Sequence, residues 1–150
     1  MAIKKLKSIK ASSIKTYDDA VRNLRYIKEE KRRADQTVYE AILTQLFQKK
    51  IRDKGECVLA NIPKRWSCRG EITAGHVFSR NIKELKWDER NCYPQCKSCN
   101  YNHQYYPFIY HDWLKQKLGA EYETLRTIAT FRRAFIITFD EVLALIEKYT

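Results

Sequence analysis

The order of apolar and polar residues predicts two helices in the first third of the chain. Thr16 and Asp19 have the spacing of a capping box, which marks a helix start. The first helix is predicted over about residues 17–33, and the second runs to about Arg52, where Gly55 ends it. The apolar residues that recur at helical spacing are Tyr17, Val21, Leu24 and Ile27 in the first helix, and Val38, Ala41, Ile42, Leu46 and Phe47 in the second.

Helical periodicity returns in the last third of the chain. It runs from Tyr110 to Gly119, and a shorter helical segment follows. Residues 131–137 fit both a helix and an extended chain. Thr138 and Glu141 form a second capping-box pattern, and the apolar residues after them predict a final helix.

The middle of the chain, residues 56–106, has a different character. It contains all the cysteines, two prolines and short β-prone pieces such as residues 71–73 and 76–78. We therefore expect an α+β fold, in which a small β-containing unit is embedded between N-terminal and C-terminal helices. One compact domain is expected, divided into a basic arm (1–15), a helical N-terminal region (16–54), the β-containing unit (55–109) and C-terminal helices (110–150).

Composition and charge narrow the function classes. The 150 residues include 29 Lys plus Arg against 18 Asp plus Glu, a formal net charge of +11. Residues 1–52 carry 14 basic and 6 acidic side chains, so the excess lies at the front of the chain. Such a distribution favours DNA or RNA as partner, although lysine-rich helices can also be simply well solvated. No apolar run is long enough to span a bilayer and no secretory signal is apparent, so we expect a soluble, cytoplasmic protein.

The cysteines predict a metal site. All five lie within 43 residues, and their odd number argues against a secreted disulfide framework. Cys96 and Cys99 form a C-x-x-C pair, and Cys57 and Cys68 can supply the second pair of a tetrahedral zinc site. Cys92 belongs to no such pair and is expected in the core. The alternative is a set of buried, reduced cysteines without metal.

Between and after the cysteine pairs, four residues have the spacing of a nuclease motif. They are His76, Asn91, Asn100 and His103, and Asn91 opens the segment N-C-Y-P-Q-C-K-S-C-N. This arrangement resembles the HNH, or ββα-metal, endonucleases. Three segments resemble, more narrowly, the NinG-like group of bacteriophage recombination proteins: G-H-V-F-S-R, W-D-E-R-N and Q-C-K-S-C-N-Y-N-H. The resemblance spans roughly residues 56–126.

The resemblance implies a role for each matched residue. His76 would be the general base that activates water, and Asn91 would orient it. Asn100 and His103 would face a catalytic Mg(II) or Mn(II), while Cys57, Cys68, Cys96 and Cys99 would hold a structural Zn(II). From its chemistry, Arg80 could hold the scissile phosphate. We assign no role to His111.

One position departs from the family pattern. Many HNH sites have an acidic residue or a histidine directly before the base, and here that residue is Gly75, which offers no ligand. The metal shell is incomplete as a result. The candidates to complete it are Glu71, Asp88 or Glu89, or a shell made of Asn100, His103, water and substrate oxygens.

These observations lead to an expected function and to two alternatives. The first expectation is an HNH-type endodeoxyribonuclease, encoded by a phage or prophage, that hydrolyses DNA. The NinG-like resemblance implies branched recombination intermediates as its substrate. The alternatives are a catalytically inactive, zinc-stabilised nucleic-acid-binding protein and, third, a protein-interaction module. Oligomeric state is not readable. We expect the aromatic residues after the second cysteine pair in the core rather than at bases: Tyr101, Tyr105, Tyr106, Phe108 and Trp113.

Overall fold

The computed structural model describes residues 8–29 and 34–150 of the chain. Within them it has six α-helices and one two-stranded antiparallel sheet, which confirms the predicted α+β class. The elements are α1 (Tyr17–Glu29), α2 (Gln36–Arg52), β1 (Ile72–His76), β2 (Cys92–Cys96), α3 (Lys97–Asn102), α4 (Pro107–Leu118), α5 (Ala120–Phe131) and α6 (Phe139–Tyr149). Residues 1–7 of the predicted basic arm and the last four residues of the first predicted helix lie outside the described residues.

The chain divides into two compact units, where the sequence predicts one domain. The helical unit comprises the residues up to Phe47 together with Thr138–Thr150, and the sheet unit comprises Gln48–Ile137. The sheet unit therefore includes α4 and α5, which the sequence assigns to a separate C-terminal region. Among the described residues, no helix is long and apolar enough to cross a membrane.

In the helical unit, α1 and α6 both begin with the capping boxes that the sequence predicts. The Asp19 backbone N–H donates to Thr16 Oγ1 over 3.1 Å, and the Thr16 N–H donates to Asp19 Oδ2 over 3.0 Å. Thr138 and Glu141 form the same reciprocal pair at the start of α6. Each box satisfies backbone donors that the first turn leaves without an intrahelical partner, so both helix starts could be read from the sequence.

Aromatic contacts pack α6 against α2. The rings of Tyr39 and Phe139 meet edge to face with centroids 5.1 Å apart, and those of Phe47 and Tyr149 do so at 5.5 Å. Such pairs contribute about 0.5–1.5 kcal/mol beyond the area they bury. The helical unit thus has its own core.

The sheet unit is built around a short hairpin. β1 and β2 pair in antiparallel register, with Gly75 opposite Tyr93 and His76 opposite Cys92. The chain enters α3 directly after β2, and α4 follows after a short turn. Because successive residues of a strand point to opposite faces of the sheet, Gly75 and His76 belong to opposite faces of the hairpin.

The core of the sheet unit uses fewer of the aromatic side chains than predicted. Tyr110 and Leu114 of α4 are 1% and 0% exposed, whereas Tyr101, Tyr105 and Phe108 are 61%, 60% and 60% exposed. The prediction that these last three residues belong to the core is wrong. The short helix α3 buries Cys99 and leaves Tyr101 exposed, while Tyr105 lies in the turn after α3 and Phe108 in the first turn of α4.

The chain after α4 is also more regular than predicted. α5 is a full helix of twelve residues rather than a short segment. Of the ambiguous residues 131–137, Phe131 ends α5 and residues 132–137 adopt no helix or strand. This irregular segment leads to Thr138, which caps α6.

Candidate active site and metal centre

The structure brings four of the five cysteines together. The Sγ atoms of Cys57, Cys68, Cys96 and Cys99 all lie within 4.8 Å of one another. Cys68 Sγ and Cys99 Sγ are 3.6 Å apart, well beyond the roughly 2.05 Å of a disulfide bond. Zn–S bonds of about 2.3 Å in a tetrahedron place sulfurs about 3.8 Å apart. The four cysteines could therefore hold a metal ion such as zinc, and the predicted set of four is the set that the fold assembles.

Main-chain hydrogen bonds position the two halves of this cluster. Cys96 ends β2 and Cys99 lies in α3, so one strand-to-helix junction positions the Cys96 and Cys99 pair. The Val58 N–H donates to Pro94 O over 3.0 Å, which fixes the loop that carries Cys57. The Lys97 N–H donates to Glu71 O over 3.0 Å and the Ser98 N–H to Arg69 O over 3.1 Å, which attaches the loop after Cys68 to the same junction.

Burial and hydrogen bonding affect the cluster thiols in opposite directions. Burial raises the pKa values of Cys57 and Cys99. At Cys96, burial acts in the same direction but is outweighed by hydrogen bonds from Ser98 and from the Cys99 and Arg69 backbones, which lower its pKa to about 6. Trp66 Nε1 also donates to Cys99 Sγ over 3.3 Å. Several thiolates this close together repel one another, and a divalent cation removes that cost.

Cys92 is not part of the cluster, in agreement with its predicted place in the core. It is 0% exposed, and burial raises its pKa to about 12, so it stays a neutral thiol at physiological pH. It lies opposite His76 in the hairpin.

His76, the predicted general base, ends β1 and is held by a backbone carbonyl. Its Nε2 lies 2.8 Å from Lys86 O. Because a carbonyl oxygen only accepts hydrogen bonds, Nε2 carries the proton in this arrangement and Nδ1 is the basic nitrogen. Burial, followed by the positive charges of Arg80 and Lys86, holds the pKa of His76 below its ordinary value. The imidazole is therefore neutral near pH 7.

Asn91, the predicted orienting residue, fixes the chain on either side of the loop that follows His76. It is 0% exposed. Its Oδ1 accepts from the Phe78 N–H over 2.8 Å, and its Nδ2 donates to Phe78 O over 3.0 Å and to Leu85 O over 3.2 Å. The Val77 N–H donates to Asn91 O over 2.9 Å. Asn91 thus acts on the backbone beside His76.

An open cleft of about 380 Å³ is lined by the end of β1 and the loop after it, by the turn after α3, and by residues at α4 and the end of α5. It brings His76 and His103 together, as the motif predicts, and adds His111, to which the sequence assigned no role. The remaining lining residues include Val77, Phe78, Ser79, Ile82, Gln104, Pro107, Ala129 and Arg132. No carboxylate is among the residues that line the cleft.

His103 offers an unpaired nitrogen inside the fold. Its Nε2 lies 2.9 Å from Val77 O and so carries the proton, which leaves Nδ1 as the basic nitrogen. That Nδ1 is buried without a hydrogen-bond partner, and burial lowers the pKa of the ring. An unpaired buried acceptor is costly, so this atom is suited to a cation or to an ordered water molecule.

His111 lies beside His103, with ring centroids 5.7 Å apart. Its Nδ1 is 2.9 Å from the hydroxyl oxygen of Tyr122, and its ring meets Phe78 edge to face at 4.8 Å. Burial, followed by the charges of His103 and Lys115, lowers its pKa to about 4. Both rings of this pair are consequently neutral and able to act as ligands near pH 7.

The position before His76 is closed to any side chain. A Cβ atom added at Gly75 would lie 2.1 Å from Oε1 of Gln95, which fills this space. Gln95 is itself 0% exposed, and neither Oε1 nor Nε2 has a hydrogen-bond partner. The Tyr110 hydroxyl donates to Gly75 O over 2.7 Å and closes the same face. A ligand at position 75 would therefore require Gln95 to move.

The three acidic candidates for the missing ligand are engaged elsewhere. Asp88 accepts from the side chain of Arg90 over 2.7 Å, Glu89 pairs with Lys54 at 2.8 Å, and Glu71 lies 3.8 Å from Lys97 on the surface.

Two further candidates lie outside the cleft. Asn100 and Arg80 are exposed, and neither is among the residues that line it. Arg80 nevertheless acts on His76 through its charge. The structure therefore brings together His76, Asn91 and His103 of the predicted site and leaves Asn100 on the outer side of α3.

Exposed aromatic rings lie next to the cleft in sequence. Tyr101 and Tyr105 have ring centroids 5.6 Å apart, and their hydroxyl oxygens are separated by 3.4 Å. The cleft residues His103 and Gln104 lie between these two tyrosines in the sequence. A pair of exposed rings at this place can stack on unpaired bases.

His111, Gln95 and Arg132 could not be found from the sequence. No motif marks them, because each depends on a contact of the fold: His111 on Tyr122 of α5, Gln95 on the space at Gly75, and Arg132 on the end of α5. No protein-family model matches the chain, and no curated protein and no solved structure is significantly similar to it.

Proposed function

We propose that the protein is a metal-dependent DNA endonuclease of the HNH type, with a structural zinc ion in the four-cysteine cluster. The observation that carries the proposal is the state of His76. It is a neutral imidazole at the end of a strand, held through Nε2 in an open cleft that contains two further histidines. Hydrolysis of a phosphodiester needs such a base for water, together with positive charge near the phosphate.

In the proposed reaction, Nδ1 of His76 takes a proton from the attacking water. The Lys86 carbonyl keeps the ring in the tautomer that this step requires. Asn91 holds the Phe78 and Leu85 backbones that frame His76, and it is a positioning residue. The water then attacks phosphorus in line with the departing 3′-oxygen, which leaves a 5′-phosphate on the product.

The residues present give a partial fit to a catalytic divalent cation. The unpaired Nδ1 of His103 is a suitable donor, and His111 lies beside it, but the cleft lining has no carboxylate. We propose that Mg(II) or Mn(II) is held by His103, with water and substrate oxygens completing the shell. Imidazole donors also suit Zn(II) and Ni(II), so the choice of metal is part of the test. When bound, the cation would offset negative charge on the phosphate and the leaving oxygen.

We propose DNA with unpaired bases, such as branched recombination intermediates, as the substrate class. The support is the exposed pair Tyr101 and Tyr105 beside cleft residues, together with the net charge of +11.

The test is cleavage by purified protein of a supercoiled plasmid and of a synthetic four-way junction. Each reaction is run with Mg(II), Mn(II), Zn(II) or Ni(II), and His76→Ala is run beside the wild type. Cleavage that requires metal and is lost in the folded variant supports the proposal. If the wild type binds both DNAs and cuts neither with any metal, the proposal fails.

A second candidate function is supported by Gly75. Because Gln95 fills the space where a ligand before the base would lie, the same fold could serve as a zinc-stabilised protein that binds nucleic acid without cutting it. Binding by both wild type and His76→Ala, without turnover, identifies that function.

A further inference from the structure

The last turn of α5 ends in an unusual conformation at Arg132. Its φ and ψ angles are 35° and 52°, in the left-handed region, and it is the one residue other than glycine with positive φ among residues 8–29 and 34–150. Its N–H donates to Ile128 O over 3.1 Å, which closes the helix. Glycine or asparagine usually occupies such a position, since a residue with a Cβ atom is strained there.

The neighbouring arginine fixes the chain at this point. Arg133 pairs with Glu84 through two nitrogens, and its Nε lies 3.2 Å from Glu84 Oε2. The Glu84 side chain is 15% exposed, so this two-point contact is partly shielded from water. The contact attaches the end of α5 to the short 3-10 helix Lys83–Leu85, directly after the cleft residue Ile82.

Arg132 has a different environment from Arg133. It lines the cleft that contains His76, His103 and His111. In the part of the chain that the structure describes, its guanidinium makes no hydrogen bond or ion pair. The cleft lining contains no acidic residue and no other lysine or arginine. Arg132 is therefore the fixed positive charge of the cleft.

We infer that Arg132 is a substrate-binding residue, which contacts a phosphate of the nucleic-acid backbone in the cleft that contains His76. The inference rests on the proposed function for its choice of ligand. Three observations support it: a charge without a partner, a cleft without a competing carboxylate, and a strained backbone at a position where glycine would fit without strain. Arg80, the predicted phosphate ligand, is exposed outside the lining.

The test measures binding without cleavage. Fluorescence anisotropy with a labelled duplex and a labelled four-way junction is recorded in the His76→Gln background, without added divalent metal, over a series of salt concentrations. The variants are Arg132→Gln and Arg132→Gly, and the control is Arg126→Gln. Arg126 is an exposed arginine of α5 that pairs with Glu123 at 2.7 Å. Its replacement by glutamine removes one positive charge, as Arg132→Gln does, but does not alter the cleft lining.

We expect both Arg132 variants to weaken binding about 5- to 30-fold and to reduce the slope of log K against log salt by about one, as for one lost phosphate contact. Arg126→Gln should change affinity less than twofold. Arg132→Gly should also melt at a higher temperature than Arg132→Gln, because it removes the strain. Lost affinity in the glycine variant then cannot be attributed to a damaged fold.

Equal affinities of the Arg132 and Arg126 variants would overturn the inference. Its failure is distinguishable from failure of the proposed function. If the wild type cuts DNA but Arg132 variants bind normally, only the phosphate contact is wrong. If Arg132 variants lose binding but the wild type never cuts, the phosphate site stands and the nuclease proposal falls.

Discussion

The side chain of Asn91 bonds both the N–H and the C=O of Phe78, over 2.8 and 3.0 Å, and so closes the loop that begins directly after His76. An asparagine amide can do this because it has a donor and an acceptor on one planar group. The same amide reaches Leu85 O, close to the Lys86 carbonyl that holds the imidazole. The direction of the proposed base therefore depends on a buried residue fifteen positions away in sequence.

Replacing Asn91 with alanine should destabilise the protein and misdirect His76. Three backbone groups lose their partner in a region where Asn91 is 0% exposed. Unsatisfied buried groups cost about 1–3 kcal/mol, so we expect the free energy of unfolding to fall by about 3 kcal/mol in urea titrations. Asn100→Ala, at an exposed position, is the control and should leave stability unchanged. An Asn91→Ala protein as stable as this control would contradict the account.

Metal content should depend on four cysteines and not on the fifth. We expect about one zinc ion per chain in the wild type and in Cys92→Ala, and loss of the ion in Cys68→Ser, because Cys68 belongs to the four-cysteine cluster and Cys92 does not. The measurement is zinc by atomic emission, with Co(II) substitution to detect thiolate coordination by visible absorption. Removal of zinc by a chelator should lower the melting temperatures of both the wild type and Cys92→Ala. Full zinc occupancy in Cys68→Ser would refute the site.

The cleavage rate should fall in acid with a midpoint below pH 6.5. Burial and the nearby positive charges lower the pKa of His76, so the basic form is present above pH 6.5 and is lost only as pH falls through the lower value. Below that midpoint the rate should drop about tenfold per pH unit. Single-turnover rates from pH 5 to 8 at saturating metal provide the check. A midpoint above 6.5 would assign the base to another group.

The exposed tyrosine pair should distinguish DNA with unpaired bases from plain duplex. Stacking on aromatic rings is worth about 1–3 kcal/mol per base, so Tyr101→Ala with Tyr105→Ala should weaken binding of single-stranded and junction DNA by about tenfold or more. Duplex affinity should change little. The double variant Tyr101→Phe with Tyr105→Phe keeps both rings and is the control. Equal losses for duplex and single strands would indicate that the rings serve another purpose.

The sequence predicted the features that depend on local spacing. The capping boxes at Thr16 and Thr138, the C-x-x-C junction and its partner cysteines all follow from residues that are near in sequence or have few competitors for one role. The place of Cys92 followed by elimination and agrees with its burial.

Other features required the three-dimensional contacts. The exposure of Tyr101, Tyr105 and Phe108 depends on which sides of α3 and of the start of α4 pack against the core, which apolar periodicity does not report. The division into two units follows from which helices pack on the hairpin. The environment of His111 depends on its contacts with Tyr122, Phe78 and His103, and nothing in its own sequence neighbourhood indicates them.

The most direct test of the central claim is the single-turnover cleavage rate of His76→Gln against the wild type on the preferred DNA substrate. Glutamine can still donate to the Lys86 carbonyl, so the loop and the cleft should remain in place, but it cannot accept a proton from water. We predict equal zinc content, an unchanged melting temperature and a rate at least about 100-fold lower, in line with the usual contribution of a general base. A folded His76→Gln protein that cuts DNA at the wild-type rate would contradict the account.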